Sequence, residues 1–195
     1  LDLLQHQTAF GFTAEDFDLV IEDMAGQGKE PTYCMGDDIP LAVLSSKPHL
    51  LFDYFKQRFA QVTNPPIDPL REELVMSLEM HLGRRGSPLR PEPGSASVLL
   101  LQSPLLNDAE LKALPEQGLA TVTLSTLLPV EAGPAGLGDA VQRLCQEAEQ
   151  AVRNQAEILV LSDRCGAGIS PTTTYMPPLL AVGAVHHHLL NLGLR

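Results

Sequence analysis

Residues 140–161, AVQRLCQEAEQAVRNQAEILVL, decide the fold class, because they read as a helix that leads directly into a strand. Val141, Leu144, Ala148 and Val152 recur at the three- and four-residue spacings that put side chains on one face of a helix over 140–154. Cys145 stands on the same helix, where a free thiol behaves as a small buried hydrophobe. Residues 157–161 then read as a strand, apolar from Ile158 to Leu161 without that period. Working outward, Val98, Leu99, Leu100 and Leu101 form a continuous apolar run with the signature of a strand buried on both faces. Asn107 with Glu110 three residues on is a capping-box variant that opens a short helix. Residues 120–127 are rich in β-formers, and 177–191 read as a third helix. The order strand, helix, strand, helix, strand, helix implies an α/β fold with a parallel sheet and right-handed crossovers.

The chain changes character near residue 86. Before it, Thr13 caps a helix whose Phe17, Val20, Ile21 and Met24 share a face, with Gly26 and Gly28 ending it. Residues 29–46 hold Pro31, Gly36, Asp37, Asp38 and Pro40 and read as a structured loop. Pro48 suits the first turn of a second helix with an apolar stripe at Leu51, Phe55, Phe59 and Val62. The run Thr63-Asn64-Pro65-Pro66 stops it, since Pro65 lacks an amide hydrogen and biases Asn64 away from helix. Asp68-Pro69 restarts helix through Leu70, Leu74, Val75 and Leu78, closed by Gly83. The expected organisation is a helical and irregular part over 1–86, a Pro/Gly/Ser-rich connector over 87–97, and parallel βα units over 98–195.

Composition removes several function classes. The 195 residues carry 24 acidic against 13 basic side chains, a net charge of −11, and no basic half exists to meet phosphates, so nucleic acid is not an expected partner. No apolar run reaches 18 residues, so no membrane span is expected. The chain opens at LDLLQHQ without an initiating Met or a signal segment and stops at Arg195 where a further strand is due. A piece of a longer protein is the expectation. Cys34, Cys145 and Cys165 cannot all pair and form no CxxC, which fits a reducing compartment, and none has a base nearby in sequence to make it a nucleophile.

Four constellations invite a chemical reading. His186, His187 and His188 are consecutive, and helical neighbours point about 100° apart, so they do not converge on one ion as an i, i+4 pair does. One is expected to be buried and the others partly exposed. The loop Ser162-Asp163-Arg164-Cys165-Gly166-Ala167-Gly168 follows a strand directly, where α/β folds bind ligands. Its GxG lacks the third glycine of a dinucleotide fingerprint, and no P-loop occurs in the chain. An anion or flavin phosphate at this rim competes with a plainer reading, in which Asp163 and Arg164 pair locally, and the plainer reading is favoured. Met35-Gly36-Asp37-Asp38 offers adjacent carboxylates, better suited to capping a loop than to separated acid–base work. Thr63 and Asn64 lock a chain reversal, and either polar loop suits the wall of a passage.

Residues 30–83, EPTYCMGDDIPLAVLSSKPHLLFDYFKQRFAQVTNPPIDPLREELVMSLEMHLG, are too irregular to arise from helix or strand patterning. Through Met35–Asp38, Pro40–Ser45, Asp53–Phe55 and Gln61–Glu72 this wording resembles the central domain of the glutamate synthase large chain. The resemblance runs on to the last residue. It implies a parent enzyme that makes glutamate from glutamine and 2-oxoglutarate. In that family an amino-terminal domain with a cysteine at its first position hydrolyses glutamine, and ammonia travels inside the protein to a flavin domain. The central domain lies between them and is similar to a cofactor-free (β/α) barrel. FMN and an iron–sulfur cluster are implied for the other domains, and no catalytic, cofactor or metal residue carries over to this chain. The role implied here is to join the glutaminase and flavin synthase domains and to help enclose the ammonia route, with Met35, Asp37, Asp38, Thr63 and Asn64 as wall or interdomain residues. KPHLLFDYFKQRF is closer to the ferredoxin-dependent, cyanobacterial or plastid type than to enzymes with an NADPH-oxidising subunit. The implied compartment is the cytoplasm, or the plastid stroma in a plant or alga. The alternative is a free-standing small α/β enzyme or binding module that uses loop 162–170 for a phosphate or flavin.

Overall fold

The computed structural model describes residues 1–27, 39–47, 49–55, 69–75, 77–84 and 86–195. The chain divides into two compact units, 1–65 and 66–195. Among the described residues no helix is long and apolar enough to cross a membrane.

In the first unit, helix α1 (Leu3–Ala9) opens on a capping box: Asp2 Oδ1 accepts from the Gln5 amide at 2.7 Å and Gln5 Oε1 from the Asp2 amide at 3.0 Å. Gly11 follows its end at φ +81°, the left-handed turn that favours glycine, and a Cβ there would run into the Leu50 side chain. Thr13 caps α2 (Ala14–Asp16) as its sequence predicts, again reciprocally, with the Asp16 amide 3.2 Å from Thr13 Oγ1. Those Thr13 bonds, backbone first, hold the Asp16 carboxyl below its ordinary range. The helix continues through a π-turn (Phe17–Ile21) into α3 (Glu22–Gln27). Gly26 therefore lies inside α3 instead of ending it, and Gly28 is outside the described residues. Of the expected second helix, Leu51–Phe55 is a 3₁₀ turn, its Leu50 amide held by Asp53 Oδ2 at 3.1 Å; Pro48, Phe59 and Val62 are outside the described residues.

The second unit holds α4 (Pro69–Val75), strands β1 (Met80–Leu82) and β2 (Leu99–Leu101), α5 (Asp108–Ala113), β3 (Thr121–Ser125), β4 (Leu127–Pro129), α6 (Gly133–Arg153), β5 (Ile158–Ser162), β6 (Thr173–Tyr175) and α7 (Pro178–Asn191). The expected helix through Leu78 to Gly83 stops at Val75, and Met80–Leu82 is a strand. It pairs antiparallel with β2 in the register Met80↔Leu101. The 98–101 run therefore does not join the parallel sheet, and Leu100 is 48% exposed instead of buried on both faces. The reason is local: the Pro/Gly/Ser-rich segment folds the chain back onto its own preceding strand, and antiparallel partners tolerate such a short return.

The opening stretch behaves as read. β3 and β5 are parallel in the register Thr121↔Ile158 through Ser125↔Ser162, with α6 as the crossover between them. The β-rich run 120–127 breaks at Thr126, beyond which β4 leaves β5 and pairs antiparallel with β6, Leu127 opposite Tyr175. Thr126 is 5% exposed and serves both sides: its amide donates to the Ser162 carbonyl at 3.0 Å, and its carbonyl accepts from the Met176 amide at 2.8 Å. Leu144 and Ala148 of α6, Met176, and Ala181, Val185 and Leu189 of α7 close the core over this junction.

Candidate functional site

Met35, Asp37, Asp38, Thr63 and Asn64 lie outside the described residues. The site that can be built from described side chains is the rim at the carboxyl ends of β3 and β5. Beyond Ser162 the chain turns sharply: Ser162 Oγ accepts from the Arg164 amide at 3.1 Å, and the Gly168 amide donates to the Cys165 carbonyl at 3.1 Å. Gly166 and Gly168 both take positive φ, +58° and +69°, which a side chain would strain. Two hydroxyls finish the loop, Ser170 Oγ and Thr172 Oγ1 at 3.2 Å, and the Val130 amide donates to the Thr172 carbonyl at 2.9 Å.

Arg164 does not pair with its neighbour Asp163, as the sequence suggests. Its Nη1 meets both carboxylate oxygens of Asp108, at 2.8 and 2.7 Å, from a helix fifty-six positions away. Asp108 is placed there by the cap on α5, where Asn107 Oδ1 accepts the Ala109 and Glu110 amides at 2.9 Å. The Asp108 contact raises the Arg164 pKa, and the Asp163 charge adds a smaller push in the same direction. With 74% and 68% of the two side chains exposed, the pair orients the loop more than it stabilises it. Arg164 thus faces two carboxylates, and the rim offers little free positive charge to a phosphate. Tyr175 on β6 is pushed above its ordinary pKa, by burial first and then by Asp163.

A cleft of about 200 Å³ opens between these elements. Leu111, Leu161, Met176, Ala181 and Val182 give it apolar walls, and Asp108, Asp163 and Arg164 also line it. Beneath the β3–β4 break, Arg143 Nη2 reaches the carbonyls of Leu127 (3.2 Å) and Ser125 (3.5 Å), while its Nη1 meets Glu147 at 3.1 Å. In sequence Arg143 reads only as part of the solvent face of α6, and the position of its acceptors is set by folding.

The three histidines separate. His186 and His187 lie edge to face with ring centroids 5.0 Å apart, and His188 Nε2 is 3.1 Å from Glu149 Oε2 on α6. None is fully buried, against the expectation for one of them. Among the described residues no group of three or more His, Cys, Asp or Glu is placed to hold a metal ion. Cys145 is buried as read, and burial pushes its thiol pKa up; Cys165 is partly exposed in the rim loop.

Residues 5–195 match the family profile of the glutamate synthase central domain. The chain is 58% identical over 99% of its length to a protein of Synechocystis named ferredoxin-dependent glutamate synthase 2, of which it covers 12%. It is 57% identical to the rice chloroplastic ferredoxin-dependent glutamate synthase and 54% identical to that of Pyropia yezoensis, over the same shares. The chain therefore spans about an eighth of these relatives' length.

Proposed function

The chain belongs to the glutamate synthase central domain family, and from that premise we propose that it is a fragment of the non-catalytic central domain of a ferredoxin-dependent glutamate synthase, joining a glutaminase domain to a flavin synthase domain and helping to enclose the ammonia that passes between them. The observation that carries this reading is identity of 54–58% kept along 99% of the chain to proteins of that name. Ammonia released to neutral water takes a proton and loses the lone pair with which it attacks a carbonyl carbon. A protein that uses it must therefore wall off its path with rigid, well-packed structure. The doubly bonded Thr126 and the buried core around Leu144 and Met176 are the kind of support such a wall needs. Met35, Asp37, Asp38, Thr63 and Asn64 are the residues assigned to the wall itself. FMN and the iron–sulfur cluster belong to other domains in this reading, and this chain holds neither. The compartment follows the source: plastid stroma for a plant or algal enzyme, cytoplasm otherwise.

The test uses the full-length enzyme. With Asp37→Ala or Asn64→Ala, more glutamine is expected to be hydrolysed than 2-oxoglutarate is aminated, because ammonia escapes. Stoichiometry unchanged from the unaltered enzyme in both variants would remove these residues from the ammonia route.

A further inference from the structure

α7 contains no Asp, Glu, Lys or Arg along its whole length, PLLAVGAVHHHLLN. α6, by contrast, buries one apolar face and carries Arg143, Glu147, Glu149 and Arg153 outside it. The polar side chains of α7 are His186, His187, His188 and Asn191, and a helix that faces water on its outer side normally carries charged residues there. The inner face of α7 is covered already, since Ala181, Val185 and Leu189 are buried in the core. Its outer face is not: Leu179, Val182 and Leu190 are 44%, 56% and 50% exposed. At 100° per residue, positions 179, 183, 186 and 190 fall in one narrow sector with Val182 at its edge.

Gly183 lies in the middle of this stripe. Glycine inside a helix is less favourable than alanine, and here neither backbone nor packing asks for it. Its φ is not positive, and a Cβ built on it meets nothing within 4 Å. A surface element pressed against the helix backbone is what would require a bare position there. Val182 also lines the cleft of about 200 Å³, to which Asp108, Asp163 and Arg164 contribute charged side chains. A recess lined by apolar side chains together with Asp108, Asp163 and Arg164, beside a stripe of Leu179, Gly183, His186 and Leu190, has the mixed apolar and polar anatomy of a protein docking surface.

We propose that the outer face of α7 centred on Gly183, with the adjoining cleft at Val182, is an interdomain docking surface covered by an uncharged apolar element from another part of the same full-length polypeptide. Two observations select this occupant. The relatives are about eight times longer than this chain, which supplies the covering mass. A second copy is disfavoured, because each copy carries −11 and α7 itself holds no Lys or Arg to offset the repulsion. The inference rests on the reading that residues 1–195 belong to the central domain of a longer enzyme, and adds a face by which this part is held.

The experiment is maleimide labelling of Val182→Cys in the full-length enzyme, read by peptide mass spectrometry in native buffer and in urea. Labelling at least tenfold slower in native buffer is expected. Gly183→Met, at a position where an added Cβ meets nothing within 4 Å, should restore most of the lost rate by wedging the partner away. Hydroxyl-radical footprinting of Leu179 and Leu190 in the unsubstituted enzyme provides a check that needs no variant, and both should be protected. Native labelling as fast as in urea, with both leucines oxidised freely, would overturn the proposal. Protection that fades on dilution would overturn it too, by making the occupant a second copy. A freely labelled Val182→Cys alongside uncoupling by Asp37→Ala would sink this surface and leave the ammonia reading standing; the opposite pair of results would do the reverse.

Discussion

At Thr126 the chain leaves one strand partner for another, and Arg143 holds the carbonyls on either side of that change. Arg143→Met keeps the aliphatic stem and removes the donors. The expected cost is about 1.5 kcal/mol, the usual net worth of hydrogen bonds from a charged group. Glu147→Gln, which disturbs only the half-exposed i, i+4 pair, should cost less than about 0.5 kcal/mol. Urea midpoints of the two variants separate these roles. The cysteines allow a second check. Cys145 is 8% exposed with its thiol pKa raised by burial, whereas Cys165 sits partly exposed in the rim loop. Iodoacetamide at mildly alkaline pH should modify Cys165 first and reach Cys145 only as the protein unfolds. Comparable native rates would mean that α6 does not bury Cys145. The burial of Cys145 was legible from its place on an apolar helix face, but the ion pair of Arg164 was not, since nothing local links it to Asp108.

Helix α6 was readable over 140–154, where the 3.6-residue period declares itself, but not over its first seven residues, Gly133–Asp139, whose three glycines and one proline show no such period. Its buried face makes a sharp prediction. Leu144 is fully buried, so Leu144→Ala should cost about 3–4 kcal/mol by cavity formation. Ala148, also fully buried, leaves no room for growth, and Ala148→Leu should cost about 1–3 kcal/mol by overpacking. Thermal or urea unfolding measures both. Between α6 and α7 the polar tie is Glu149, whose pKa is lowered by its hydrogen bond to Arg153 first and to His188 second. A depressed carboxyl pKa contributes stability above the unfolded value, about 4.3, and loses it as pH falls through the lower folded value. Glu149→Gln should therefore lower the unfolding midpoint at pH 6, and its difference from the unaltered protein should close as pH drops below about 4. A difference that persists at pH 2 would assign the effect to something other than the charge. The short strands β1 and β6 escaped notice because three residues carry no measurable period, and only pairing defines them.

For the whole molecule, the family relationship leads to one expectation about electron supply. The full-length enzyme should make glutamate with reduced ferredoxin as donor and fail to do so with NADPH alone. Turnover with NADPH as efficient as with ferredoxin would contradict the reading of KPHLLFDYFKQRF. That family was legible because the irregular wording around Met35-Gly36-Asp37-Asp38 and Gln61–Glu72 is not what any secondary structure demands. By itself the sequence determined the α/β class, the α6-to-β5 passage, the caps at Thr13 and Asn107 and the burial of Cys145, since each depends on neighbours a few positions away. Only the tertiary structure decided that 98–101 folds back onto Met80–Leu82, that Thr126 joins two strand pairs, and that Arg164 reaches Asp108. Those choices are competitions among distant backbone and charged groups with similar local propensities, and the winner is fixed when the chain closes on itself.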